Sequence, residues 1–294
     1  MSASGAPRHG PGEGLIHERQ LTGSTRPTKL CPMPRRSRWA KNMRLAATWN
    51  MTQRQYWEPL ADVYDDLYRD RWSSLEDAQT GRYLGRAVNK GRTILDLACG
   101  TGLACRLLAS ADVTEIKYHG VDISGAMLGR FSCALQPVAL YEADVLEFLN
   151  DQRGSSFDVV CCLYGSMSFI EDVEATVAEV HRVLRPGGSA YLSFLNRHSI
   201  INLVRRQGRS IGPYPTRHTA IERGATIARM YSRVDLVRIF SNVFQSSPLI
   251  RGSSLFAGWL ELPSLWILDH FLASQLPTLA HSLEVSCRKH GGEE

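Results

Sequence analysis

The most informative pattern in the chain is an apolar run that ends in two glycines. Thr93-Ile94-Leu95-Asp96-Leu97 has the composition of a strand buried on both faces, and a Gly-x-Gly turn, Gly100-Thr101-Gly102, follows it. The next segment, residues 103–110, has the pattern of a helix. A strand, a glycine turn and a helix in this order bring main-chain N–H groups against an anionic or nucleotide-like ligand.

The same alternation of strand and helix patterns continues along the chain. Between the later strands, Val173, Val177, Val180 and Leu184 recur at helical spacing. Ser232 and Asp235 form a capping-box pattern that starts another helix. Further strands are predicted at 118–122, 138–141, 157–164, 190–195, 248–255 and 281–288. This order of elements predicts an α/β fold with a largely parallel sheet.

Two acidic residues follow predicted strands at positions suited to nucleoside binding. Asp122 ends the second strand, twenty residues past Gly102, where a carboxylate accepts hydrogen bonds from a ribose diol. Asp144 follows the third strand. A nicotinamide cofactor is the alternative, but the chain has Cys105 where that motif needs a third small residue. That alternative also explains neither Asp144 nor a later Pro-Gly-Gly turn.

Four of these signals, in this order, resemble the class I S-adenosylmethionine-dependent methyltransferases. Residues 96–102 are similar to the family's first motif, Asp122 to its ribose-binding acid, Ala143-Asp144-Val145 to its adenine-edge motif, and Leu184-Arg185-Pro186-Gly187-Gly188 to the turn before its fifth strand. The resemblance implies a Rossmann-like, doubly wound α/β sheet of seven strands, in the order 3-2-1-4-5-7-6 with the last strand antiparallel. It also implies S-adenosylmethionine as the cofactor.

The resemblance also implies a set of cofactor-binding residues around the glycine turn. Tyr64, Asp65 and Tyr68 resemble an element on the helix that covers the cofactor in many small-molecule methyltransferases, where an aromatic face favours the sulfonium cation. Simple packing of these rings on the sheet is the alternative, and both interpretations stay open. The implied cofactor-binding residues are Tyr64, Asp96, Ala98, Gly100, Thr101, Gly102, Asp122, Ile123, Asp144, Val145 and Leu163.

The residues after the fourth strand bear on the methyl acceptor. The segment 162–167 has neither the Asn/Asp-Pro-Pro-aromatic element of enzymes that methylate nucleobase amines nor the Pro-Cys of cytosine-C5 enzymes. It instead resembles the run found in small-molecule N- and O-methyltransferases. Tyr164 is therefore a candidate catalytic residue, and His198, after the fifth strand, is a candidate base, with His218 second. A base helps only when the acceptor is a hydroxyl, an acidic carbon or a protonated amine. No metal site is predicted.

Charge is concentrated at the N-terminus. The first 54 residues contain ten Lys or Arg and two acids, so the remaining residues carry a formal charge of about −3. Nucleic acid is therefore an unfavoured partner for the body of the chain. Residues 1–50 are predicted to be a disordered basic leader, and residues 51–294 a methyltransferase domain with cap insertions at about 196–230 and 256–277. A translation start at Met43 or Met51, an organellar presequence and a basic binding arm remain open for the leader.

The segment 256–277 is nearly apolar all round, but charged residues interrupt it and it is too short to span a membrane. It is expected to be buried in the core or in a homodimer contact. A lid over an apolar acceptor and a peripheral membrane contact are the alternatives. The seven cysteines form no C-x-x-C pair, which predicts reduced thiols, neither a zinc site nor a disulfide, and a cytoplasmic location.

The predicted function is transfer of a methyl group from S-adenosylmethionine to an N, O or C atom of a small molecule, an acceptor with an apolar portion being one option. Two alternatives remain. One is a catalytically silent methyltransferase-fold subunit that serves a partner. The other is an RNA or protein methyltransferase.

Overall fold

The computed structural model describes residues 48–88, 92–111, 115–204, 211–214, 226–256 and 262–291. Residues 1–47 of the predicted leader lie outside the described residues. The same holds for residues 205–210, 215–225, which include His218, and 257–261.

A seven-stranded mixed sheet forms the centre of the described structure, and its strand order is β3-β2-β1-β4-β5-β9-β8. The first five of these strands run parallel, whereas β9 is antiparallel to both β5 and β8. The strands are β1 (Thr93–Leu97), β2 (Lys117–Asp122), β3 (Val138–Glu142), β4 (Phe157–Cys162), β5 (Leu184–Leu195), β6 (Ile211–Tyr214), β7 (Thr226–Arg229), β8 (Leu249–Ser253) and β9 (Ser282–Arg288). The predicted order 3-2-1-4-5-7-6 is confirmed. The predicted strands 6 and 7 are β8 and β9 here, because β6 and β7 form a separate hairpin.

Helices cover both faces of this sheet. They are α1 (48–57), α2 (Arg71–Ala87), α3 (Leu103–Ser110), α4 (Gly125–Gly129), α5 (Val145–Asp151), α6 (Val173–Val183), α7 (Ile200–Val204), α8 (Arg233–Phe244) and α9 (Trp266–Gln275). The predicted capping box of α8 is present, with Asp235 N–H donating to the Ser232 hydroxyl and Ser232 N–H donating to Asp235. In the part of the chain that the structure describes, no helix combines the length and the apolarity needed to cross a bilayer.

Two cores lie on opposite faces of the sheet. One packs side chains of α5, α6 and α8, such as Phe148, Val177 and Phe240, against the sheet. The other packs Leu84 of α2 and Leu108 of α3 against the opposite face. Every residue of β4 is buried, as expected for a central parallel strand covered on both sides.

The structure describes part of each predicted insertion. The first insertion, where it is described, contains α7 and the antiparallel hairpin of β6 and β7. The second is not wholly buried. In α9, Asp269 and Ala273 are fully buried, whereas Ile267 and Phe271 are 82% and 60% exposed.

The prediction that all cysteines are reduced thiols is wrong. Cys105 of α3 and Cys133, in the loop after α4, form a disulfide with a Cα–Cα distance of 5.8 Å. The two residues are 28 positions apart, and only the fold brings them together. Cys99, Cys161 and Cys162 are free and buried, as expected for core thiols.

Candidate cofactor and acceptor site

Three residues of the turn between β1 and α3 adopt the left-handed backbone region. Ala98, Gly100 and Gly102 have φ angles of 55°, 52° and 93°. A Cβ on Gly102 would lie 2.7 Å from the ring of Phe131, so this position accepts only glycine. Gly102 is also the N-cap residue of α3 and has no side chain with which to cap it. The first N–H groups of α3 are therefore suited to bind an anionic group such as a carboxylate.

Asp122, at the end of β2, holds this turn in place. One of its carboxylate oxygens accepts a hydrogen bond from Gly100 N–H at 2.8 Å, and the other accepts one from Ser124 N–H at 2.9 Å. The residue is only 8% exposed. Burial raises the pKa of its carboxyl group, and the main-chain N–H groups of Ser124, Gly100 and Ile123 oppose that shift. A carboxylate offers about four lone-pair sites, so Asp122 can still accept a hydrogen bond from a diol.

Asp96 lies in the core beneath the turn. The Tyr118 hydroxyl donates a hydrogen bond to one of its oxygens at 2.5 Å, and the Cys161 thiol contacts the other at 3.6 Å. Burial raises the pKa of the Asp96 carboxyl to about 7. Both oxygens are engaged within the protein, so a direct role of Asp96 in cofactor binding stays a prediction.

The predicted adenine-edge residues lie at the start of α5. Asp144 is the N-cap residue of this helix, and its Oδ1 accepts hydrogen bonds from Leu146 N–H at 2.9 Å and Glu147 N–H at 3.1 Å. The preceding residue, Ala143, donates its N–H to the Asp122 main-chain oxygen at 3.0 Å. The predicted adenine-edge residues and Asp122, the predicted ribose-binding acid, are therefore neighbours. Val145 is the first residue of α5, and Ile123 follows Asp122 directly.

The segment that carries Tyr64 crosses this edge of the sheet and is attached to it by polar contacts. Asp65 Oδ1 accepts hydrogen bonds from the Thr101 hydroxyl at 2.6 Å and from Arg106 at 3.1 Å. Two exposed ion pairs, Arg54–Glu142 and Arg130–Asp62, join the same segment to β3 and to the end of α4. Sequence reasoning missed these pairs, because their members are distant in sequence and share no motif.

Tyr64 itself lies close to Asp122, the predicted ribose-binding acid. It packs in a small cluster with Leu60, Ala61 and Met127 of α4. Burial raises the pKa of the Tyr64 phenol well above its ordinary value, with smaller contributions from Tyr68 and from the charge of Asp122. The two interpretations of this ring, core packing and cofactor contact, are compatible here, because one ring can pack on α4 while it lies next to Asp122.

The two catalytic candidates lie after neighbouring strands. Leu163 and Tyr164 follow β4, and Tyr164 has a φ angle of 51° with its side chain partly exposed. His198 lies in the turn after β5, and its main-chain N–H donates to the Asn196 side chain at 3.0 Å. The structure thus brings Tyr164 to the same edge as the glycine turn. The described hydrogen bond of His198 positions its main chain, and the role of its ring stays a prediction.

Comparison with known proteins agrees with this geometry. Residues 94–188 match a family model described as "Methyltransferase domain". The chain is 34% identical over 150 residues to a 2-phytyl-1,4-naphtoquinone methyltransferase from Nostoc punctiforme, an alignment that covers 48% of this chain and 63% of the relative. It is 34% identical over 110 residues to a ubiquinone biosynthesis O-methyltransferase from Idiomarina loihiensis, covering 37% of this chain and 44% of the relative. The matches thus span about half of each relative's length.

A solved structure shares the fold. A S-adenosylmethionine-dependent methyltransferase from Mesorhizobium loti superimposes with a TM-score of 0.50 at 19% identity, covering 71% of this chain and 96% of that one. The glycine turn, the strand order and the matched family model together identify residues 94–188 as a methyltransferase domain within a Rossmann-like sheet.

Proposed function

We propose that this protein transfers a methyl group from S-adenosylmethionine to a small-molecule acceptor. The observation that carries the proposal is the hydrogen bond between Asp122 and Gly100 N–H, because it joins the ribose-binding acid to the glycine turn in one rigid unit. Both named relatives act on quinone-related small molecules according to their names, which supports a small acceptor with an apolar portion.

The residues of the site fit the cofactor. The N-terminus of α3 suits the methionine carboxylate, Asp122 a ribose diol, and the segment Asp144-Val145 an adenine edge. Tyr64 would pack near the sulfonium group. When bound, the cofactor supplies an activated methyl group with a good leaving group, so the protein's main task is to align the acceptor atom with it. Tyr164 and His198 are the proposed acceptor-side residues.

We further propose a peripheral membrane contact or a homodimer contact through the exposed side chains of α9, Ile267, Leu268 and Phe271. A cytoplasmic location also remains part of the proposal. The buried free thiols favour a reducing compartment, whereas the Cys105–Cys133 disulfide counts against a strongly reducing one.

Calorimetric titration of S-adenosylmethionine and S-adenosylhomocysteine tests the proposed function. We expect micromolar binding by the natural protein and a loss of at least about tenfold in Asp122→Ala, because each lost hydrogen bond to a charged group is worth about 1.5–3 kcal/mol. Asp151→Ala, at an exposed acid at the end of α5, should bind as the natural protein does. Circular dichroism checks that each variant is folded.

Two outcomes would count against the proposal. If the folded natural protein binds neither ligand, a cofactor-dependent function is wrong. If it binds the cofactor but methylates none of a broad set of phenols, amines and carbon acids, the silent-subunit alternative is favoured.

A further inference from the structure

A hydrogen bond joins Tyr164 to Asp77, and neither residue is among the predicted cofactor-binding residues. The Tyr164 hydroxyl, just after β4, donates to a carboxylate oxygen of Asp77 on α2. Tyr164 and Gly165 both have left-handed backbone conformations, with φ angles of 51° and 76°. An aromatic residue rarely adopts this conformation, and such strain concentrates at functional sites.

The pair lies beside the glycine turn. Strands β1 and β4 are neighbours, and Asp96 is opposite Cys161 in their register. Because the two strands are parallel, the residues three positions after this pair, Cys99 and Tyr164, lie at the same edge of the sheet, next to Gly100. Arg106 and Asp65, which are joined at the turn, also affect Asp77: the charge of Arg106 lowers the pKa of the Asp77 carboxyl, and the charge of Asp65 raises it.

The electrostatic state of the pair suits it to accept a proton. Burial raises the pKa of the Asp77 carboxyl, although the hydrogen bond from Tyr164 and the charge of Arg106 oppose the shift. Burial and then the Asp77 charge raise the pKa of the Tyr164 phenol, so it stays protonated and donates to Asp77. A side-chain hydrogen bond from Thr80 to the phenol oxygen opposes this shift in pKa, and the second lone pair of that oxygen is left to accept a hydrogen bond from a ligand. The residue is 41% exposed, so a ligand can reach it.

A row of aromatic side chains links the segment that carries Tyr64 to the residues that follow Tyr164 in the chain. Four rings form a continuous row, in which Tyr68 contacts Tyr64 at 5.2 Å, Tyr64 contacts Trp57 at 6.2 Å and Trp57 contacts Phe169 at 5.3 Å between centroids. Phe169 lies in the short helical turn that follows the loop of Tyr164. The row therefore runs from Tyr68 to Phe169, five residues after Tyr164, and planar aromatic ligands pack well on such rings.

We propose that the acceptor is a phenolic hydroxyl compound, whose proton Tyr164 receives as it passes its own proton to Asp77. The inference rests on the proposed methyl transfer. The acceptor oxygen forms a bond to the methyl carbon while the sulfur–carbon bond breaks and sulfur keeps its electron pair. The acceptor proton moves to the Tyr164 oxygen and the Tyr164 proton moves to the Asp77 carboxylate, which becomes neutral. Tyr164 is then a catalytic residue, and Asp77, which acts through it, is a positioning residue.

The test measures transfer of labelled methyl from S-adenosylmethionine to 4-nitrocatechol across a range of pH, with 4-nitroaniline as the matched acceptor that lacks hydroxyl groups. The variants are Tyr164→Phe and Asp77→Asn, with Asp66→Asn as a control because Asp66 is exposed and pairs with Arg69. Calorimetry with S-adenosylhomocysteine is run on every variant, since unchanged binding shows an intact fold and cofactor site.

We expect transfer to 4-nitrocatechol and not to 4-nitroaniline. Both Tyr164→Phe and Asp77→Asn should lower kcat roughly 100- to 10,000-fold, the range for a lost proton acceptor, with KM nearly unchanged. In Asp77→Asn the fall of kcat/KM at acidic pH should disappear, which a merely structural role would not cause. Asp66→Asn should behave as the natural protein.

The inference is overturned if the natural protein binds S-adenosylhomocysteine yet transfers no methyl group to 4-nitrocatechol, a result that leaves the proposed methyl transfer standing. It is also overturned if Asp77→Asn keeps the kcat of the natural protein and its kcat/KM still falls at acidic pH. Failure to bind S-adenosylhomocysteine would instead reject the proposed function itself.

Discussion

Asp96 occupies a motif position associated with the cofactor, yet its side chain lies between Tyr118 and Cys161 in the core. The motif predicted the residue type and its place at the end of β1. It did not predict the two partners, because they come from β2 and β4, which become neighbours of β1 only in the folded sheet. Burial makes this carboxyl bind a proton more tightly than one in water, although the hydrogen bonds from Tyr118 and Cys161 oppose the shift in its pKa.

The pKa of Asp96 predicts a dependence of stability on pH. The folded state holds this proton up to about pH 7, whereas the unfolded chain releases it near the ordinary value of about 3.9. The contribution to stability is therefore complete below about pH 4 and is lost as the pH rises to about 7. Between about pH 5.5 and pH 8 we expect a loss of about 2 kcal/mol from this group. In Asp96→Asn this part of the loss should be absent.

Urea unfolding of both proteins at the two pH values checks this prediction. The asparagine oxygen can still accept a hydrogen bond from Tyr118, so the variant should fold. Equal pH dependence in the two proteins would show that Asp96 does not titrate in this range.

At the scale of elements, the segment over the site is held by a few polar contacts and by the small apolar cluster of Leu60, Ala61 and Met127. Arg54–Glu142 and Arg130–Asp62 are exposed ion pairs, which typically contribute about 0–1 kcal/mol each. Asp65 differs from these, since it accepts hydrogen bonds from both Thr101 and Arg106. Its contacts join the segment directly to the glycine turn and to α3.

Removing the Asp65 carboxylate should therefore weaken cofactor binding. We expect Asp65→Ala to raise the dissociation constant of S-adenosylhomocysteine about 3- to 10-fold, corresponding to about 1 kcal/mol for a partly exposed charged hydrogen bond. The neighbouring variant Asp66→Ala removes an exposed pair with Arg69 and should leave binding unchanged. Isothermal calorimetry compares the two, and equal affinities would mean that the Asp65 contacts do not hold the site closed.

At the scale of the whole molecule, α9 is anchored on one side and uncovered on the other. Asp269 is fully buried and accepts hydrogen bonds from Leu255 N–H at 3.0 Å and Phe256 N–H at 2.8 Å. On the uncovered side lie Ile267, Leu268 and Phe271. The buried carboxylate orients the helix, and its apolar residues are thereby left at the surface.

Replacing both Ile267 and Phe271 by serine should reduce binding to vesicles of phosphatidylcholine and phosphatidylserine in equal amounts. Because both side chains are exposed, the free energy of unfolding should change by less than about 0.5 kcal/mol. Leu249→Ser, at an exposed apolar residue of β8, is the matched control and should bind vesicles as the natural protein does. Flotation measures the binding, and light scattering measures the mass in the same samples.

A natural protein that does not float would reject the membrane contact. If the double variant instead converts a dimer into a monomer, the uncovered side of α9 is a contact between two copies of the chain.

The sequence alone determined the strands of the sheet, the helix that follows the glycine turn and the residues that end β2 and β3, whereas the strand order was implied by the resemblance to class I methyltransferases. These features depend on local periodicity and on glycine positions that main-chain geometry restricts, and both can be read from consecutive residues. The tertiary structure decided the Cys105–Cys133 disulfide, the core partners of Asp96, the Asp65 contacts and the pairing of Asp77 with Tyr164. Each of these joins elements far apart in the chain, and no local pattern encodes which side chains meet when the sheet and its helices pack.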